Sequence, residues 1–284
     1  MISQQDFVLE ERKIGRKLHY HNGVWWLQVA SLYCKPLFEF DHFAPRTAKP
    51  NIWRSLWGYS HQVPDKSMAN RTVKWMLLDG EDLQNYSIDM LPSSKRRTIR
   101  NGLKKCHFQL INPSVRILEE MRRINISQAQ RFKEGGDVGG YLPSSYYEKH
   151  APEWSHNINS ILNHKGHNFW GAFLDGTLVA YADIIKMKDT WMVGAVKSHS
   201  NYLSARPVDG LYYTILHAAS KDPSCKRVVN GGPDGVRNSL NKFKELFLFK
   251  AVEIAYFSKS IINVERAKAI LNLKQGLKRL VQAI

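Results

Sequence analysis

The dipeptide Asp175-Gly176 does most to limit what this chain can fold into, because it separates two runs of strand-forming residues, 168–174 and 177–187. Asp-Gly supplies the positive-φ pair that a two-residue hairpin turn needs, and the aromatic and β-branched flanks supply the strands. A second turn at Lys188-Asp189 leads into 190–196, so a three-stranded antiparallel meander is predicted. A helix over 210–220, a short strand at 227–230 and an aromatic-rich closing strand within 243–257 follow.

Upstream, 25–29 and 74–78 read as strands, and 42–64, rich in Pro, Trp and His, reads as loops and short pieces covering an apolar site. Residues 95–105 form a predicted helix with Ile99 and Leu103 on one side. Its Lys95, Arg96, Arg97, Arg100, Lys104 and Lys105 have no acidic neighbour to pair with along the helix, so they form either a solvated face or a phosphate-binding one. A second helix, 115–131, carries Ile117, Leu118, Met121, Ile124 and Ala129 near one stripe. The glycine-rich 134–140 lacks the Lys-Ser/Thr ending of a phosphate-cradling loop and is expected to be a flexible connection. A helical stretch at 145–163 and an amphipathic helix from about 262 complete the pattern.

With 284 residues, 43% hydrophobic and 23% charged, the chain has the composition of a folded globular protein. Its longest apolar-rich stretch, 24–34, is far below the roughly 20 residues that span a bilayer, so no transmembrane segment is expected. The first residues lack the basic start and apolar block of a secretory signal, and Cys34, Cys106 and Cys225 show neither metal-site nor disulfide spacing. A cytoplasmic protein without a metal is expected. The net charge of +16 favours polyanionic partners such as RNA, nucleotide phosphates or anionic headgroups, which leaves peripheral membrane contact open.

From Trp170 to about Glu253 the order of pieces resembles the FemABX-like branch of the GNAT (N-acyltransferase) superfamily. The matching pieces are the hairpin from Gly171 to Ala180, the strand Trp191-Met192-Val193-Gly194-Ala195, the polar 201–206, the helix 211–219, the strand end Asn230-Gly231-Gly232 and the run Asn241-Lys242-Phe243-Lys244. The resemblance implies an α+β (α/β) GNAT-like fold, a mixed, mostly antiparallel sheet flanked by helices in two GNAT-like lobes. It divides the chain into a degenerate N-terminal lobe (1–88), a basic helical connecting region (89–165), an acyltransferase lobe (166–258) and a basic amphipathic helix (259–284).

The implied activity is transfer of an acyl or aminoacyl group to an amino group of a sugar, peptide or cell-envelope precursor. No cofactor is firmly implied; acyl-CoA or aminoacyl-tRNA is the donor substrate, which makes tRNA a possible partner. Arg206-Pro207-Val208-Asp209-Gly210 lacks the glycines of a CoA pyrophosphate loop, which puts acetyl-CoA in doubt. Splayed strands in such a fold offer backbone N–H groups to a developing oxyanion.

Asp183, a carboxylate in an otherwise small and apolar strand, is the candidate general base; an exposed position or a structural ion pair is the competing reading. The resemblance makes Lys244 the cation at the donor cleft, shared with Asp183 and bounded by Asn230-Gly231-Gly232. Asn201, Arg206, Asn230, Gly231, Gly232 and Phe243 are candidates for substrate or donor binding, and Arg96, Arg97, Arg100 and Lys104 for polyanion binding. Tyr181, Tyr202, Tyr212 and Tyr213 are weaker candidates as general acids, and His42, His61 and His217 are expected to be structural. A non-catalytic RNA- or polyanion-binding protein on the same scaffold is the alternative.

Overall fold

The computed structural model describes residues 2–30, 32–45, 47–134, 142–235 and 238–260, and the helix expected from 262 lies outside them. The chain forms two units, one of Gly15–Val73 with the segment from Glu253, the other of Met1–Ile14 with Lys74–Val252. The helices of 89–165 belong to the second of these.

In the smaller unit, β1 (Leu18–His21) and β2 (Val24–Ala30) pair antiparallel about Asn22-Gly23, both at positive φ. Next comes β3 (Tyr33–Pro36), antiparallel to β2, then β4 (Gly58–Gln62), parallel to β3. The C-terminal part of the last strand, which runs from Lys250 to Ser260, pairs antiparallel with β4. Trp26, Cys34, Ala48 and Tyr59 form its core, where His61 stacks on Tyr59 with its Nδ1 against the Gln62 carbonyl. The expected loops of 42–64 thus contain a strand. Its polar sequence, Gly-Tyr-Ser-His-Gln, hid it, because burial here falls on Tyr59, His61 and Gln62 rather than on aliphatic residues.

The larger unit begins with α1 (Gln4–Lys13), capped by Ser3, whose Oγ accepts from the Asp6 N–H. After β5 (Arg71–Asp79) come α2 (Gly80–Gln84), α3 (Ser93–Lys105), β6 (His107–Leu110), α4 (Val115–Glu134), α5 (Ser144–Lys149) and α6 (Ala151–Leu162). The meander follows as β7 (His167–Leu174), β8 (Thr177–Met187) and β9 (Thr190–Ser198), turning at Asp175-Gly176, both at positive φ as that hairpin requires. Then come α7 (Pro207–Lys221), β10 (Arg227–Val229), α8 (Asn238–Glu245) and β11, the Lys250–Ser260 strand. The aromatic-rich closing segment therefore opens as a helix, and only its later part is a strand.

The sheet of this unit runs β5-β10-β9-β8-β7-β6, antiparallel except for the β9–β10 pair. One face sets Ala180, Ala182 and Ile184 against Ile99 of α3 and Leu211, Ile215 and Leu216 of α7. The other sets Phe169, Phe173, Leu178 and Tyr181 against Ile117, Met121 and Ile124 of α4. Side chains alternate along β8 from Ala180 to Ile184, and a bulge at Val179, where the pairing with β7 steps from Ala172–Ala180 to Phe173–Leu178, brings Leu178 to the face of Tyr181. Fully buried side chains such as Met121 and Ile124 each contribute on the order of 1.5–3 kcal/mol. Among the described residues no helix is long and apolar enough to cross a membrane.

Glycine brings α3 and α7 together. A Cβ on Gly102 would lie 2.6 Å from the Arg206 carbonyl oxygen and 3.1 Å from the Gly210 nitrogen. Lys95 is buried at this junction, with its Nζ 2.7 Å from Asp209 Oδ1 and over the rings of Phe243 and Phe247. Its expected place on an exposed basic face is corrected, since the carboxylate that neutralises it lies 114 residues away. Arg97, Arg100, Lys104 and Lys105 are exposed, and Arg96 is half-buried. Arg96 and Arg100 also have an acid within 4.0 Å, Asp89, just before the helix.

Candidate active site

The parallel pair β9–β10 is short. Thr190, Trp191 and Met192 face Arg227, Val228 and Val229; then the strands part, β9 continuing to Ser198 while the Asn230 N–H and Gly231 carbonyl bond to Met76 of β5. Past Met192 that edge of β9 has no β10 partner. A bulge falls here, the register with β8 shifting between Asp183 and Ile184, and Gly194 is exposed within it. A Cβ at this bulge would sit 3.0 Å from Asp183 Oδ2 and press on that carboxylate.

The segment after β10 is held from α8. Asn241 accepts from the Asp234 N–H at 2.7 Å and donates to the Asp234 carbonyl at 2.8 Å, while Lys244 Nζ donates to the Gly232 carbonyl at 2.9 Å. Lys244 is only 5% exposed, and Gly231, at φ +60°, provides the turn. Asn230 Nδ2 donates to the Tyr212 hydroxyl at 3.1 Å. Burial pushes the Tyr212 phenol up to about 12, the Asn230 bond opposing it. Phe243 packs edge-on against Tyr212 at 5.0 Å. The structure thus gathers Asn230, Gly231, Gly232, Phe243 and Lys244 around one strand end.

Arg206 and Asn201 are exposed on the turn that leads into α7. Arg206 adopts φ +56°, a left-handed backbone that a side chain takes at a cost of about 1–2 kcal/mol.

Asp183 lies in a different network. It shares the α4 face with Phe169 and Tyr181, and both its oxygens meet His167 Nδ1, at 2.9 and 3.0 Å. Lys244 comes instead from a helix packed with Tyr212 of α7, on the opposite face, so the two are not brought together as one pair of side chains. His167 Nε2 faces Glu11 of α1 at 3.9 Å, and His164 Nε2 approaches the same carboxylate at 3.3 Å. Burial works against a charged His167, but the hydrogen bonds and charges of Asp183 and Glu11 outweigh it and push its pKa up to about 9. His167 is therefore an imidazolium at neutral pH, held between Asp183 and Glu11.

Glu11, His164 and His167 are close enough to be considered as ligands for a metal ion. Their hydrogen bonds argue otherwise, because His164 Nδ1 accepts from the Gly166 N–H at 2.9 Å, which places the ring proton on Nε2, where a metal would bind. Sequence reasoning missed this group. The His-x-x-His spacing at 164–167 was its only local trace, and Glu11 lies too far away in the chain to suggest it.

Tyr181 donates no proton readily: burial raises its pKa, with the Asn125 hydrogen bond opposing the rise. The thiols of Cys34, Cys106 and Cys225 are all buried and free, and burial raises the pKa of each.

No family model matches this chain, and no curated protein matches it in sequence. Solved structures do. FemX aligns over 93% of this chain and 93% of its own at TM-score 0.59 and 10% identity. The C-terminal domain of an Agrobacterium fabrum protein assigned as a lysylphosphatidylglycerol synthetase aligns over 95% and 91% at TM-score 0.58 and 11% identity. L-PGS from Bacillus licheniformis aligns over 96% of each chain at TM-score 0.56 and 12% identity. At these identities the likeness is one of fold, and by fold the chain is similar to the FemABX-like branch that its order of strands, turns and helices resembles.

Proposed function

We propose that the chain is an acyl- or aminoacyltransferase working at the opening between β9 and β10, with an amino group of a sugar, peptide or cell-envelope precursor as acceptor. The observation that carries this reading is the early end of the β9–β10 pairing at Met192 and Val229, beside the exposed bulge at Gly194. Backbone N–H groups along that free edge can stabilise the oxyanion that forms when an amine attacks an acyl carbonyl.

Lys244, at the strand end, supplies positive charge on the donor side, where acyl-CoA or aminoacyl-tRNA would enter. On the other face Asp183 lies against Gly194 with no side chain between them, positioned to take the proton released by the attacking amine. The proton transfer would follow C–N bond formation, when the amine nitrogen is most acidic. Three free, buried cysteines suit a cytoplasmic setting.

The test is a transfer assay with purified protein, labelled acetyl-CoA, longer acyl-CoAs and aminoacyl-tRNA against a panel of amines, paired with thermal shifts from each donor. Label should move to an amine with at least one donor, and that donor should raise the melting temperature. If tRNA and plain polyanions stabilise the protein equally and no label moves, the exposed Arg97, Arg100 and Lys104 describe a polyanion-binding protein instead.

A further inference from the structure

The last turns of α4 and the end of β9 carry a group of polar side chains that the transfer chemistry above does not use. Tyr181 lies beside Lys197 across the β8–β9 pair, and its hydroxyl takes a 2.6 Å bond from Asn125 Nδ2, which fixes α4 over this part of the sheet. Two residues on, Ser127 Oγ accepts from the Ser200 N–H at 2.9 Å and lies 3.5 Å from His199 Nδ1. The next residue, Gln128, is 7% exposed, and its Oε1 is buried with no hydrogen-bond partner. Arg131, one turn beyond Ser127, is half-buried over the Phe132 ring, and its Nη1 is buried with no partner among the described residues.

Burial lowers the pKa of Arg131 and of Lys197, and burial followed by the Arg131 charge lowers that of His199. Among the described residues no carboxylate pairs with Arg131. A buried donor of a charged group left unsatisfied costs more than about 1–3 kcal/mol, so a fold that keeps one has a use for it. His199 Nδ1 accepts from the Asn201 N–H at 3.3 Å, which leaves its proton on Nε2 as a further donor.

We propose that this end of α4 is an anion-binding subsite, in which Arg131, with the Nε2–H of His199, holds a carboxylate or phosphate group while Gln128 Oε1 accepts an N–H or O–H of the same molecule. Because these residues lie on the α4 face of the sheet, where Asp183 also lies, the anion belongs to the acceptor; that assignment rests on the transferase reading, whereas anion binding itself does not. The acceptor is then an amine that carries an acidic group, with a hydrogen-bond donor beside it.

Calorimetric titration of the full chain with sodium phosphate, sodium acetate and N-acetylglycine tests the subsite without turnover. At least one probe should bind, phosphate alone marking a phosphate subsite and N-acetylglycine over acetate marking a carboxylate with an adjacent N–H. Arg131→Gln should weaken that probe about ten- to a hundredfold, the range for a hydrogen bond to a charged group. Absence of binding by every probe, or unchanged affinity in Arg131→Gln, overturns the proposal. Should that variant not fold, Gln128→Leu takes its place, and undiminished N-acetylglycine binding there has the same consequence. An active transferase that binds no probe removes the subsite alone, and probe binding by an inactive protein removes only its link to an acceptor.

Discussion

Lys95 Nζ lies 2.7 Å from Asp209 Oδ1, a buried ion pair joining the first turn of α3 to the first turn of α7. Both side chains are largely hidden, so removing one partner strands the other's charge in a poorly solvated place. Lys95→Met should therefore destabilise the chain by about 3–5 kcal/mol in urea unfolding, and Lys95→Met with Asp209→Leu should recover most of that loss. A double variant no more stable than the single one would show that the pair contributes more than mutual neutralisation. Near-wild-type stability in Lys95→Met would show that the pair is not sequestered.

The same junction predicts the effect of one methyl group. Gly102 faces backbone on α7, and a Cβ there would press on the Arg206 carbonyl, which cannot rotate away as a side chain could. Although alanine has the higher helix propensity, worth about 1 kcal/mol, overpacking at about 1–3 kcal/mol should prevail. Gly102→Ala is expected to lower the urea midpoint. A raised midpoint would mean that the α3–α7 contact yields freely.

His167 gives the fold a pH dependence with a defined sign. Its folded pKa, about 9, is above the ordinary 6.5, so the folded state binds the proton more tightly. The resulting stabilisation is fully present below about pH 6.5 and is lost as pH rises through about 9, amounting at most to about 3 kcal/mol. Asp183→Asn removes the leading favourable partner and should flatten this part of the stability profile, while Glu11→Gln flattens it less. Unfolding free energies measured from pH 6 to 10 decide the matter, and a wild-type profile level across that window contradicts the charged His167.

How far the sequence could be read follows from how local each cause is. The meander was legible because Asp175-Gly176 and Lys188-Asp189 fix their turns within a few residues of the strands they join. The helix α1 was not, since only Phe7 and Val8 among its apolar residues are buried and no stripe announces it. Aromatics made the segment from Phe243 read as strand, yet Phe243 and Phe247 pack against Tyr212 from a helix and the turn after it. Around the site, the strand end Asn230–Gly232 and Lys244 could be found by their order, whereas the partners of Asp183 and Lys95 depend on contacts between distant parts of the chain.

Lys244 offers the most direct test of the transferase reading. Its ammonium reaches the Gly232 carbonyl from a nearly buried position, so the residue braces the strand end and sets charge beside it. Lys244→Met keeps most of the stem's packing and removes the charge, and Asn241→Ala releases the same segment without touching the charge. If charge at this spot stabilises the developing oxyanion, Lys244→Met should cut kcat by about 10²–10³-fold, the usual consequence of losing one such donor. Asn241→Ala should raise KM with a smaller effect on kcat, because it disturbs the position of the strand end alone. Steady-state kinetics of both variants on the donor and amine found active would separate the roles. Equal losses of kcat in the two would make Lys244 a brace and nothing more, leaving the free edge of β9 to stabilise the oxyanion unaided.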